Sequence, residues 1–337
     1  MKLIRNLLAA LVFLAGIGVA PTLWAAGNLL PDIGPSAASK AVQAKDALAK
    51  DAVCTRCHDE SETAPVLSIY QTKHGVKGDA RAPSCQSCHG ESADHLKGAQ
   101  GGKTRAAPDI VFKKGVYAAS DEKERAEQCL TCHKGGMRSH WDGGQHQANG
   151  VTCNNCHQVH RPVDKVLSKK TQTEVCFTCH KEQRADSHKM STHPIDAGKV
   201  VCSDCHNPHG STGPKMLKKA TVTETCYTCH AEKRGPFLFE HQPVTEDCMN
   251  CHTPHGSTIA PLLKSRSPFL CQECHDGTHA SATPVGPNAA GFQGGLASKN
   301  AAGANQFPNR NIVGRGCTNC HNQVHGTNSP AGGYLQR

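Results

Sequence analysis

Every cysteine in this 337-residue sequence belongs to one phrase, Cys-x-x-Cys-His, written ten times. The cysteine pairs are Cys54 and Cys57, Cys85 and Cys88, Cys129 and Cys132, Cys153 and Cys156, Cys176 and Cys179, Cys202 and Cys205, Cys226 and Cys229, Cys248 and Cys251, Cys271 and Cys274, and Cys317 and Cys320. The histidines that close them are His58, His89, His133, His157, His180, His206, His230, His252, His275 and His321. This is the attachment signature of c-type haem. Two thiols add to the vinyl groups as thioethers, and the next residue is set under the iron as proximal ligand. A disulfide scaffold, Cys₄ zinc sites and a thioredoxin-like redox pair all use paired cysteines. None of them gives histidine a reason to follow the second cysteine ten times out of ten. The sequence therefore predicts ten covalently bound haem c groups.

A haem iron has a second axial position. Left open it allows chemistry on a small ligand, and filled it leaves electron transfer. After the N-terminal segment the methionines are Met137, Met190, Met216 and Met249, too few for ten irons. Twelve histidines lie outside the motifs. His146 and His241 precede a second motif by 7 residues, His193 by 9 and His74 by 11. His160, His209, His255 and His325 trail a motif at the third residue after its histidine or close to it, His95 follows six on, and His279 stands between the last two motifs. These ten are the expected distal ligands. His140 and His188 fall outside the spacing and are expected to be solvated surface histidines. Residues three apart on a helical turn point the same way. A trailing histidine such as His209 thus cannot reach the far face of the ring that His206 holds. It should ligate a neighbouring haem and tie the two together. The spacing leaves open which neighbour each lone histidine serves.

The elements that position these groups follow a repeat. Five two-haem units are expected, 54–128, 129–175, 176–225, 226–270 and 271–337, with starts 75, 47, 50 and 45 residues apart. Repeats at such periods indicate a linear array. Only 37% of the chain is hydrophobic and 4% aromatic, which supplies little core of its own. The expected fold is a multihaem cytochrome c: short α-helices and irregular loops wrapped round a linear haem array, with very little β structure. Residues 27–53 contain the helix-prone SAASKAVQAKDALAKD, expected as a surface helix or arm, and DEKERAEQ reads as a second charged helix. KGAQGGK is a loop, and the Gly/Ala/Pro/Asn-rich stretch 280–316 reads either as a floppy insertion or as a segment that packs against a partner at one end of the array. At the N-terminus Lys2 and Arg5, an apolar run Leu7 to Ala20 and small residues at Ala25–Gly27 form a cleaved signal peptide, 1–26. The run is short for a spanning helix of about 20 residues. The formal charge of +9 falls once this segment is removed, and haem propionates reverse it, so the basic balance does not imply nucleic acid.

The motifs, the CHxxH repeats and phrases such as SDCHNPHG, CYTCHAEKRGP, CHTPHGS and the ending QVHGTNSPAGGYLQR resemble the MtrA/MtoA/DmsE-type decahaem cytochromes from about Cys54 to Arg337. The resemblance implies ten bis-histidine irons, with distal positions matching His74, His95, His146, His160, His193, His209, His241, His255, His279 and His325; His140 and His188 depart from the family pattern. It also implies electron transfer across the outer membrane inside a porin-like β-barrel partner. Electrons would pass between periplasmic or inner-membrane cytochromes and the cell exterior, where an extracellular multihaem cytochrome is a further expected partner. Iron oxidation and metal reduction both fit. The expected location is the periplasm, attached to the outer membrane through the barrel.

Two other functions compete. A multihaem reductase needs an open iron face, often with an altered motif, and no CxxCK occurs; the chain is therefore expected to be an electron-transfer protein without catalytic residues. A soluble periplasmic multihaem carrier feeding a terminal reductase uses the same residues, and only the partner separates it from the conduit. A chain without spanning segments needs a sheath in lipid, because its polar backbone cannot meet hydrocarbon. A closed β-barrel is the natural one.

Overall fold

The computed structural model describes residues 37–59, 61, 66–76, 81–98, 104–275, 298–299, 305–306, 316–330 and 332–336. The segment expected as a signal peptide, most of 280–316 and His279 lie outside the described residues. Among the described residues regular structure is short apart from the helix Ala37–Thr55, and the next longest is Glu122–Leu130. Strand among the described residues is confined to Ser298–Lys299 paired antiparallel with Asn305–Gln306, besides isolated bridges. The helix-prone N-terminal stretch runs through residue 53 to Thr55 and so carries Cys54 itself. DEKERAEQ forms Glu122–Leu130, capped by the Asp121 carboxylate on Lys123 N–H, with Glu122 and Glu124 in the first turn. Those charges suit the positive end of the helix dipole.

One local plan recurs five times. The first cysteine of each unit lies in the last turns of a helix: Ala37–Thr55, Glu122–Leu130, Gln172–Phe177, Val222–Tyr227 and Phe269–Gln272. The first cysteine of each second motif instead opens a helix or 3₁₀ turn: Cys85–His89, Cys153–Cys156, Cys202–Cys205, Cys248–Asn250 and Cys317–Asn319. A polar residue one turn before the first cysteine then docks the second motif. The Asp51 carboxylate accepts from Cys85 N–H at 2.8 Å, and Arg125 donates to Thr152 Oγ1 at 3.3 Å. Gln172 accepts from Ser203 N–H at 3.0 Å, Thr223 donates to the Glu246 carbonyl at 3.1 Å, and Ser267 accepts from Cys317 N–H at 2.9 Å.

The result is that the two leading thiols of every unit lie side by side: Cys54 with Cys85, Cys129 with Cys153, Cys176 with Cys202, Cys226 with Cys248 and Cys271 with Cys317. Between units, Cys88 lies in electrostatic reach of Cys129, Cys156 of Cys179, Cys205 of Cys229 and Cys251 of Cys274. The ten motifs are therefore neighbours in space in the order of the chain. The polypeptide itself makes almost no apolar core. Among the described residues the buried apolar side chains are Ala126, Trp141 and Val201.

Candidate cofactor-binding site

Each motif is one closed α-turn. The histidine N–H donates to the carbonyl of the first cysteine at 2.9–3.1 Å in nine motifs, and the tenth lies within the helix Cys85–His89. One turn places residues i, i+3 and i+4 on one face, so both sulfurs and the imidazole address the same space.

Opposite nine of these histidines stands a histidine from outside the motifs. The ring pairs are His58 with His95, His133 with His74, His89 with His160, His180 with His146 and His157 with His209. They continue with His230 and His193, His206 and His255, His275 and His241, and His252 and His325. Centroid separations lie between 6.0 and 6.3 Å, while interplanar angles run from 9° to 87°. Stacked aromatic rings would constrain both quantities. A fixed separation with free rotation is what a shared axis gives. With metal–imidazole bonds of about 2 Å on each side and two ring radii, centroids fall about 6 Å apart. The residues thus fit a six-coordinate haem iron between each pair. Burial pushes His74, His89, His209, His255 and His325 below the usual imidazole range, which favours the neutral ring that a metal needs.

The pairs interlock the units. A lone histidine of one unit faces the first motif of the next: His74 faces His133, His146 faces His180, His193 faces His230 and His241 faces His275. A trailing histidine faces the second motif of the unit before: His160 faces His89, His209 faces His157, His255 faces His206 and His325 faces His252. The chain end obeys the same logic. His95 lies in the first unit of this sequence, and it turns back to His58 within its own.

Hydrogen bonds at Nδ1 set the rings so that Nε2 is left for metal. His146 donates to the Pro208 carbonyl, His193 to Pro254 and His241 to Val324, at 2.8–3.0 Å. Each acceptor immediately precedes the trailing histidine that crosses the same junction. The phrase HG after it is also explained. A Cβ on Gly210, at φ +101°, would lie 1.9 Å from the His140 carbonyl oxygen, and one on Gly256 would lie 1.9 Å from that of Asp186. The two spare histidines stay outside the pairs. His140 is exposed and contributes that carbonyl, and His188 is exposed and meets Asp196 at 3.1 Å.

The residues between the cysteines were not read from the sequence as informative, yet they separate the two motif types. In second motifs a short polar side chain reaches back to the residue before the helix: Ser87 accepts from Ser84 N–H, Asn155 from Thr152 N–H and Asp204 from Val201 N–H, at 2.7–3.1 Å. In first motifs Thr131 and Thr178 donate to carbonyls of the preceding turn. The alternation of these residues along the chain was the available signal. Around His209, the buried Arg138 Nε, Trp141 Nε1, His209 Nδ1 and Ser211 Oγ have no hydrogen-bond partner among the described residues. Orphaned donors of this kind suit the carboxylates that a haem carries.

A family profile for a doubled CXXCH motif matches residues 193–235 and 241–280, and one for a cytochrome c-type protein, NrfB-like, matches 85–172. The chain is 40% identical over 290 residues to the multiheme cytochrome MtrA of Shewanella baltica (strain OS185), covering 84% of this chain and 80% of that protein.

Proposed function

This chain belongs to the MtrA family of multihaem c-type cytochromes, and from that premise we propose that it holds ten bis-histidine haems in one unbroken line as an electron conduit through the outer membrane. Covalent haem c and electron transfer come with the family; the count, the ligand set and the membrane crossing are the reading added here. The observation that carries it is the set of nine imidazole pairs at 6.0–6.3 Å, each joining a motif histidine to a distal one. The tenth pair in this reading is His321 with His279. Haem held by these residues would supply one-electron redox chemistry. The cysteines fix each ring to one α-turn, and the paired histidines close both faces, leaving no position for a substrate. Ligands exchanged between units hold successive haems in the order of the motifs.

No helix among the described residues is long and apolar enough to cross a membrane. In this reading a porin-type β-barrel provides the lipid-facing surface, and electrons pass between periplasmic cytochromes and extracellular iron or metal, or an extracellular multihaem cytochrome. The five units are 54–128, 129–175, 176–225, 226–270 and 271–337, after a signal peptide 1–26 and an N-terminal segment 27–53. The test is a native pull-down from detergent-extracted outer membranes with intact-mass analysis. A mass increase equal to ten haems and a stoichiometric barrel partner are expected. Recovery of the cytochrome alone in the soluble periplasmic fraction would replace the conduit with a mobile carrier.

A further inference from the structure

The five second-motif histidines can be compared position for position. Four of them point Nδ1 at a main-chain carbonyl in the loop that follows: His89 at Ile110, His206 at Lys215, His252 at Pro261 and His321 at Tyr334, at 2.5–3.0 Å. His157 differs. Its Nδ1 meets the Asp164 carboxylate, Oδ2, at 2.6 Å. The acceptor is an anion in place of a neutral dipole, and the contact is short. It is also shielded: the Asp164 side chain is 16% exposed and that of His157 30%. The carboxylate is held in place because its second oxygen accepts from Val166 N–H at 3.3 Å as the cap of the 3₁₀ turn Lys165–Leu167.

Resting on the ligand set proposed above, we infer that Asp164 lowers the reduction potential of the haem carried by Cys153 and Cys156, making it a built-in low point near the middle of the array. A carboxylate accepts only, so Nδ1 is the donor and Nε2 faces the metal. A strong acceptor on Nδ1–H gives the ring imidazolate character and makes Nε2 a more basic ligand. More basic axial ligation favours ferric over ferrous iron, and hydrogen bonding beyond the ligand is one of the protein's levers on potential. The electron arrives from and leaves to neighbouring haems; no bond forms or breaks, and the proton stays on His157 Nδ1. An opposing charge exists: Arg138 lies near His209, the other ligand of this iron. It acts through space with no hydrogen bond to that ring, whereas Asp164 is in direct contact, and contact dominates. Glu232 near His230 offers a contrast. At 3.6 Å, with both side chains more than half exposed, it is screened by water.

The experiment uses the purified holoprotein and its Asp164→Asn, Asp164→Glu and His209→Met variants, each with haem counted by intact mass. Asparagine keeps an oxygen acceptor but removes the charge. In Asp164→Asn, one tenth of the potentiometric titration is expected to move to higher potential. One tenth of the ferric near-infrared charge-transfer intensity, measured by magnetic circular dichroism, should move to longer wavelength. Asp164→Glu should stay close to the parent. An Asp164→Asn protein that retains its haems and titrates as the parent overturns the inference. Should that variant lose a haem, the parent decides: its ferric spectrum must contain a short-wavelength component of one tenth intensity, and a single uniform bis-imidazole band overturns the inference. The ligand reading is tested separately by His209→Met. A methionine-type charge-transfer band of one tenth intensity supports it, and an unchanged spectrum refutes it whatever Asp164 does.

Discussion

Asn155 is a residue that a motif description writes as x, and its side chain does structural work that the cysteines depend on. It accepts from Thr152 N–H at 2.7 Å and from Thr152 Oγ1 at 2.8 Å, fixing the start of the turn that presents Cys153. Loss of such a cap costs about 1 kcal/mol. Asn155→Ala should therefore lower the thermal midpoint of the holoprotein, followed by the Soret band, without changing the haem count. Asn155→Asp should restore most of it, because Asp204 plays that part in the CSDCH motif. A melt unchanged in Asn155→Ala would show that the haem alone holds the turn. Asp164 belongs to this scale too: its effect comes from one charge on one ring nitrogen, and a mutation elsewhere in the loop that leaves the contact should leave the potential.

At the scale of elements the decisive feature is exchange between units. His193 lies in the unit that begins at Cys176, yet its ring faces His230 of the next one. His193→Ala should open one iron in ten, seen as a ferric high-spin signal and one carbon monoxide bound per reduced molecule. Removing the attachment site of the next unit as well, with Cys226→Ala and Cys229→Ala, should abolish that binding. Persistence of carbon monoxide binding in the triple variant would place the ligand on another haem. The same junctions depend on close backbone approach. Gly210→Ala forces a methyl group onto the His140 carbonyl from a positive φ, an overpacking cost of about 1–3 kcal/mol. Early loss of the cooperative melt is expected there. Gly115→Ala, with nothing within 4 Å of its Cβ position, should leave the melt within error and serves as control.

For the whole molecule, the cofactors take the place of a core. Three buried apolar side chains among the described residues cannot offset the conformational entropy of ordering the chain, about 1–2 kcal/mol per residue for the backbone alone. The chain produced without haem attachment should show no cooperative thermal transition and should be cleaved throughout by a protease that leaves the holoprotein intact. A protease-resistant apo chain would mean that the polypeptide packs in a way not evident from its burial. Charge is also a property of the assembled molecule. With the proposed ten haems, propionates would outweigh the excess of lysine and arginine, so the isoelectric point of the holoprotein should fall below the sequence value of 8.7. A measured value at or above that number would contradict the reversal of the charge by propionates.

The covalent chemistry was legible in the order of residues because it is local. Two thiols and an imidazole at i, i+3 and i+4 need only one α-turn to face one haem, and any chain that writes CxxCH can form it. The repeat of lone and trailing histidines was legible for the same reason, as was the expectation that His209 serves a neighbour of the ring held by His206. Which neighbour could not be read. His157 and His209, or His241 and His275, are brought to 6 Å by packing between separate units, and sequence spacing contains no term for how one unit docks on the next. The helix Ala37–Thr55 crosses residue 53 for a related reason: Asp51 is buried where it meets the Cys85 N–H, a contact made only once the second motif has folded back. The asymmetry at His157 was equally hidden. Asp164 lies seven residues on, but whether a loop offers its carbonyl or its carboxylate to an imidazole depends on the path of its backbone. Sequence determined the turns to which haem attaches; tertiary structure decided which histidines face each other and which charge stands behind one of them, because attachment is set by one turn of backbone and pairing by contacts between distant turns.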